Sequence, residues 1–129
     1  MAHLEPTVFV VDDDAAVRES LSWLISAVNI PVRTFPSAQE FLEAVPPGQS
    51  GCVVIDIRMP GMDGLTLQQK VRESHPGLSV IVITGHGSEA TATQAKKAGA
   101  LGYLEKPMDG MALLDLVRKG IVKASNEGL

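Results

Sequence analysis

Six polar residues close apolar runs of this chain, and their types suit a site that handles phosphate. Asp12, Asp13 and Asp14 follow one run, Asp56 ends a second, Thr84 ends a third and Lys106 follows a fourth. Crowded carboxylates repel and raise one another's pKa values, a strain that a hard divalent cation relieves. Mg²⁺ prefers oxygen ligands and takes one or two carboxylates while keeping waters. Asp13 and Asp56 are the direct ligands expected, with Asp12 acting through a water and the Arg58 backbone carbonyl adding a neutral oxygen. Mn²⁺ or Ca²⁺ would serve as substitutes. An ionised carboxylate is already a nucleophile, so Asp56 could become an aspartyl phosphate without a general base. The Lys106 ammonium and the Thr84 hydroxyl would then face the phosphoryl oxygens. One polar residue at the end of a run is an ordinary cap. The whole set in one chain is not.

These residues can meet only if their runs lie side by side. Five short apolar runs read as strands: Thr7–Val11, Val32–Phe35, Cys52–Ile55, Ser79–Thr84 and Gly102–Glu105. Three of them are continuously apolar, as in strands covered on both faces. Between them, Val17, Leu21, Leu24, Ile25 and Val28 follow one helical face, and Leu113, Leu114, Val117 and Ile121 follow another. "SAQE" at Ser37–Glu40 reads as a capping box, Asp109 as a cap of the last helix and Gly99 as the end of the fourth. Pro60 and Gly61 read as a turn, Gly64 as a residue opening a helix and Asp63 as its N-terminal neighbour rather than a ligand. Met59 and Met62 read as packing residues. Alternation of strand and helix gives an α/β fold with a doubly wound parallel sheet of five strands flanked by five helices, and 2-1-3-4-5 is the common strand order at this size. Sites in such folds lie outside the carboxyl ends of the strands. Strands 1, 3, 4 and 5, which carry the polar residues, are neighbours in that order.

The 129 residues fit one domain spanning 1–129, with a core from about 7 to 124. Fifteen acids against eleven bases, and no basic cluster, argue against direct binding of nucleic acid. Cys52 is the single cysteine, so no internal disulfide can form, and its place at the head of an apolar run reads as core. With no signal peptide and no membrane-length apolar run, the cytoplasm is the expected compartment.

Four motifs in order, "VVDDD" at Val10–Asp14, "IDIRMPGMDG" at Ile55–Gly64, "VITGHG" at Val82–Gly87 and "AGALGYLEKP" at Ala98–Pro107, resemble the receiver domain of two-component response regulators. The resemblance runs from about Thr7 to Ala124 and is most similar to receivers of the FixJ type, which usually precede a helix-turn-helix DNA-binding domain. It implies that Asp56 accepts phosphate from a phosphohistidine on a sensor histidine kinase, that Asp12 and Asp13 are the acidic metal pair, and that Thr84 and Lys106 are the switch threonine and lysine. Tyr103 matches the switch aromatic, although by itself it reads equally as a packing residue. Arg58 and His86 match positions that tune the lifetime of the acyl phosphate. A cis bond between Lys106 and Pro107 would aim the lysine inward. The readout surface implied is helix 4, strand 5 and helix 5, controlling an output such as transcription, often through a phosphorylation-dependent homodimer. Here the fourth helix offers mainly alanines with Thr91, Thr93, Lys96 and Lys97, and Gly102 replaces a common aspartate, so that surface is weakened. Lys96 and Lys97 read as a solvated face.

Three other readings compete. A haloacid-dehalogenase-type phosphatase also uses an aspartate nucleophile, but Ala16 stands where its motif needs Thr or Val. A flavodoxin-like cofactor module would need a Gly/Ser/Thr phosphate loop where three aspartates stand. A receiver acting through protein contacts alone, without phosphorylation, keeps the fold and drops the chemistry.

Overall fold

A computed structural model describes residues 5–85 and 88–127, with side chains through 124. The strands are β1 (Thr7–Val11), β2 (Val32–Phe35), β3 (Gly51–Asp56), β4 (Leu78–Thr84) and β5 (Gly102–Glu105). They alternate with α1 (Ala15–Ser26), α2 (Ala38–Ala44), α3 (Gly64–Ser74), α4 (Glu89–Lys97) and α5 (Gly110–Glu127). All ladders are parallel, in the order β2-β1-β3-β4-β5. The expected order and element count are thus observed, with β3 and β4 each beginning one residue earlier than the apolar runs and β3 reaching Asp56.

The near-continuous apolar strands are explained by two cores. Side chains alternate across a strand, so Phe9, Val11, Val53, Ile55 and Val82 face the layer of α2, α3 and α4. Val8, Val10, Val54, Ile81 and Ile83 face α1 and α5, where Ile25, Leu113 and Val117 meet them. All three phenylalanines join the first core. Phe41 stands edge-on to Phe9 and Phe35, with centroids 5.8 and 5.7 Å away. Buried His75 completes that core at the end of α3. Its Nε2 donates to the Val45 carbonyl at 2.8 Å and its ring lies 5.7 Å from Phe41. Cys52 is fully buried, and burial pushes its thiol up to about 12, as expected of a core residue.

Helix starts follow the sequence. The Ser37 hydroxyl accepts from the Glu40 amide at 3.2 Å, and Asp63 Oδ1 accepts from the Thr66 amide at 2.8 Å. Asp109 accepts from the Met111 amide at 2.9 Å at the start of α5. No helix among the described residues is long and apolar enough to cross a membrane.

Candidate functional site

Sheet register brings the polar strand ends together. Val11 pairs with Ile55, so Asp12, the next residue, lies beside Asp56. Asp56 in turn pairs with Ile83, and Thr84 with Glu105, which sets Thr84 and Lys106 along the same edge. The Lys106 amide donates to the Thr84 carbonyl at 2.7 Å, fixing the start of the loop that carries the lysine. The following Lys106–Pro107 bond is cis.

Asp12 is fully buried, Asp56 is 4% exposed and Asp13 is exposed. Their carboxylate oxygens lie within 4.8 Å of one another. The Lys106 ammonium reaches between two of them, 2.9 Å from Asp12 Oδ2 and 3.6 Å from Asp56 Oδ1. Two of the three carboxylates, Asp12 and Asp56, therefore share one ammonium. Burial, together with the charge of Asp12, pushes the Asp56 carboxyl from 3.8 up to about 6, against the pull of Lys106; Asp13 adds to the rise and the Arg58 backbone N–H opposes it. For Lys106, burial alone would lower the pKa. The hydrogen bond to Asp12 and the charges of Asp12, Asp56 and Asp14 outweigh it and raise the value. Oxygen-only donors, excess negative charge and one open side fit a hard cation, with Asp12, Asp13 and Asp56 as the residues able to hold it.

The supporting contacts of Asp14, Arg18 and Gly64 were not read from sequence. Asp14 belongs to the acidic run, but its Oδ1 caps α1 by accepting from the Ala16 amide at 2.9 Å. Arg18, one turn into α1, donates from Nη1 to the Asp12 carbonyl at 2.7 Å. Its spacing from Asp12 was the only signal. Gly64 donates its amide to the Ile57 carbonyl at 2.8 Å, and a Cβ there would stand 2.4 Å from the Asp56 carbonyl oxygen. The glycine thus lets α3 start hard against the end of β3. Met59 is buried and Met62 packs against the core, as packing residues should.

Thr84 is buried at the end of β4. Tyr103 packs against the first core, and burial followed by the charge of Glu105 raises its pKa. Its Oη is sealed from solvent and lies near the Ser88 backbone without an aligned hydrogen bond among the described residues. Arg58 is exposed beside Asp56, and His86 lies outside the described residues. Beyond Lys106, an open apolar groove of about 950 Å³ runs between α1 and the β5–α5 loop, lined by Val17, Trp23, Leu24 and Met108 among others. Trp23 is 77% exposed there. Sequence reasoning passed over it.

The response regulator receiver domain model matches residues 8–118. The chain belongs to that family. It is 44% identical over 115 residues to the transcriptional regulatory protein TdiR of Thauera aromatica, covering 89% of this chain and 51% of that protein. It is 42% identical over 121 residues to the transcriptional regulatory protein FixJ of Azorhizobium caulinodans, covering 94% of this chain and 57% of that one. The solved structure of the response regulator StyR superposes with a TM-score of 0.87 at 43% identity, over 95% of this chain and 62% of that one. The chain thus spans about half the length of these curated relatives. Asp12, Asp13, Asp56, Thr84 and Lys106 lie together at the carboxyl edge of its sheet.

Proposed function

We propose that this receiver is a phosphoacceptor switch in which Asp56 is the phosphorylated residue, within a single domain over residues 1–129. The observation that carries the reading is the buried Asp56 carboxylate, with two further carboxylates within 4.8 Å and the Lys106 ammonium at 3.6 Å. In the reaction, an Asp56 oxygen attacks the phosphorus of a phosphohistidine on a sensor histidine kinase. The P–O bond forms as the P–N bond breaks, and the imidazole leaves with the electron pair. Asp12, Asp13, Asp56 and the Arg58 carbonyl would hold Mg²⁺, or Mn²⁺ or Ca²⁺ in its place, which when bound neutralises charge on the phosphoryl oxygens. Lys106 leaves its position between Asp12 and Asp56 to meet the new phosphoryl oxygens, and the Thr84 hydroxyl serves another. A donor protein must approach this edge, and the groove at Trp23 opens onto it beside Lys106.

In this reading Tyr103 acts as the switch aromatic, while Arg58 and His86 tune how long the acyl phosphate survives. The output surface is α4, β5 and α5, acting on a DNA-binding effector domain of the same full-length regulator in the cytoplasm, with a phosphorylation-dependent homodimer as one route. The domain turns over no substrate beyond its own phosphoryl group.

Intact-mass measurement after incubation with acetyl phosphate and Mg²⁺ tests the reading. One added phosphoryl group is expected on the native protein and none on Asp56→Asn or without metal. If no adduct forms, beryllofluoride titration decides. Binding indicates a short-lived phosphoprotein, whereas no binding overturns the reading in favour of a receiver that acts by protein contacts alone.

A further inference from the structure

Among the described residues, side-chain hydrogen bonds from another helix reach α4 at its C-terminal end only. Of its nine residues Ala95 alone is buried, so little apolar surface holds it to the sheet. Its C-terminus closes as a Schellman motif: Gly99, with φ of 96°, donates to the Lys96 carbonyl at 3.0 Å, and Ala100 to the Ala95 carbonyl at 3.1 Å. The same Ala95 carbonyl accepts a second bond, at 2.9 Å, from Nε2 of Gln68 on α3. Arg72, one turn further along α3, points Nη1 at the Ala98 carbonyl at 3.4 Å.

Gln68 is an unusual residue for that place. It is 1% exposed and its Oε1 has no hydrogen-bond partner among the described residues. Its amide orientation follows from the Ala95 carbonyl, which can only accept. A leucine would fill the site without leaving an orphan acceptor, so packing alone does not explain the glutamine. The bond to α4 does.

The N-terminal end of α4 is fastened differently. Ser88 caps the Thr91 amide at 3.1 Å and meets the Thr91 hydroxyl at 2.8 Å, contacts internal to the helix start. Beneath it lies the buried Tyr103 hydroxyl, near the Ser88 backbone but without an aligned hydrogen bond among the described residues. Moving the C-terminal end would strand a fully buried amide, whereas moving the N-terminal turn breaks no side-chain bond to another helix among the described residues and can bring an aligned partner to Tyr103.

We propose that Gln68 makes the C-terminal cap of α4 a fixed pivot, so that displacement of this helix opens at its N-terminal turn. Phosphorylation as the trigger rests on the phosphoacceptor reading of Asp56; the pivot itself does not. Amide hydrogen exchange tests it, first without metal or phosphoryl mimic, on the native protein, Gln68→Leu and Gln68→Met. Loss of one hydrogen bond is expected to speed exchange at Gly99 and Ala100 by roughly five- to tenfold, while Thr91 and Ala92 change less than about twofold. Gln68→Leu should keep or raise the thermal midpoint while doing so, since the orphan oxygen is gone; Gln68→Met serves if leucine does not fold. With Mg²⁺ and beryllofluoride, changes in the native protein should stay at Thr91 and Ala92 and in the variants spread to Gly99 and Ala100. Unchanged exchange at Gly99 and Ala100 in the folded variants overturns the pivot, as does equal loosening of both helix ends by beryllofluoride in the native protein. Failure of beryllofluoride to bind the native protein counts against the phosphoacceptor reading instead, and the metal-free comparison still decides the pivot.

Discussion

Replacing Asp56 by asparagine should make the metal-free protein more stable near neutral pH, although it removes the proposed phosphoacceptor. The Asp56 carboxyl is raised from 3.8 to about 6 because folding buries it against Asp12 and Asp13, and Lys106 at 3.6 Å only partly compensates. A rise of that size corresponds to roughly 3 kcal/mol, an upper bound, lost by the folded state when Asp56 is ionised. For a domain of this length that is on the order of 10 °C in thermal midpoint. Because the folded value is raised, the penalty is full above about 6, shrinks as protons are taken up between about 6 and 3.8, and is gone below 3.8. Thermal denaturation of both proteins in EDTA, followed by circular dichroism across that range, measures the gap; groups common to both cancel. The gap should be widest near neutral pH and close on acidification. Mg²⁺ should narrow it from the other side by stabilising the native protein more than the variant. An Asp56→Asn protein no more stable than the native one at neutral pH without metal would refute the reasoning.

Other substitutions separate positioning from charge. Lys106→Met leaves fully buried Asp12 without its 2.9 Å partner, so urea unfolding in EDTA should show a loss of about 2 kcal/mol that shrinks when Mg²⁺ is added. Gly64→Ala drives a methyl toward the Asp56 carbonyl at 2.4 Å; a loss of roughly 3 kcal/mol is expected, with acetyl phosphate labelling slowed in whatever remains folded. At Gly102 a Cβ would stand 2.4 Å from Leu116 Cδ1. Gly102→Asp should cost roughly 1–2 kcal/mol by urea unfolding, and less when combined with Leu116→Ala, because the clash is with a side chain that can be trimmed.

The alternation of apolar runs and helical faces was enough to give a doubly wound parallel sheet, because parallel neighbours need helical crossovers and those crossovers have one hand; the strand order followed from the common form of that fold. The caps at Ser37, Asp63 and Asp109 were also legible, since capping depends on a few adjacent residues. The site was legible as a set of strand-end residues, but not as a geometry. That Lys106 reaches Asp12 more closely than Asp56, that Arg18 holds the Asp12 carbonyl, and that Gly64 exists for the close approach of α3 to β3 all join residues distant in sequence or depend on sub-ångström clearances. Gly102 shows the difference most plainly. In the sequence it was a departure from a common aspartate; in the fold it is the floor under Leu116. Gln68 drew no reading from the sequence, and only packing against α4 buried it and gave its amide a partner. Local pattern determined which elements form and which residues end them, because those choices rest on near neighbours. Tertiary structure decided what those ends touch, how strongly Asp56 resists ionisation and which end of α4 is held, because burial and distance arise only when separate elements meet.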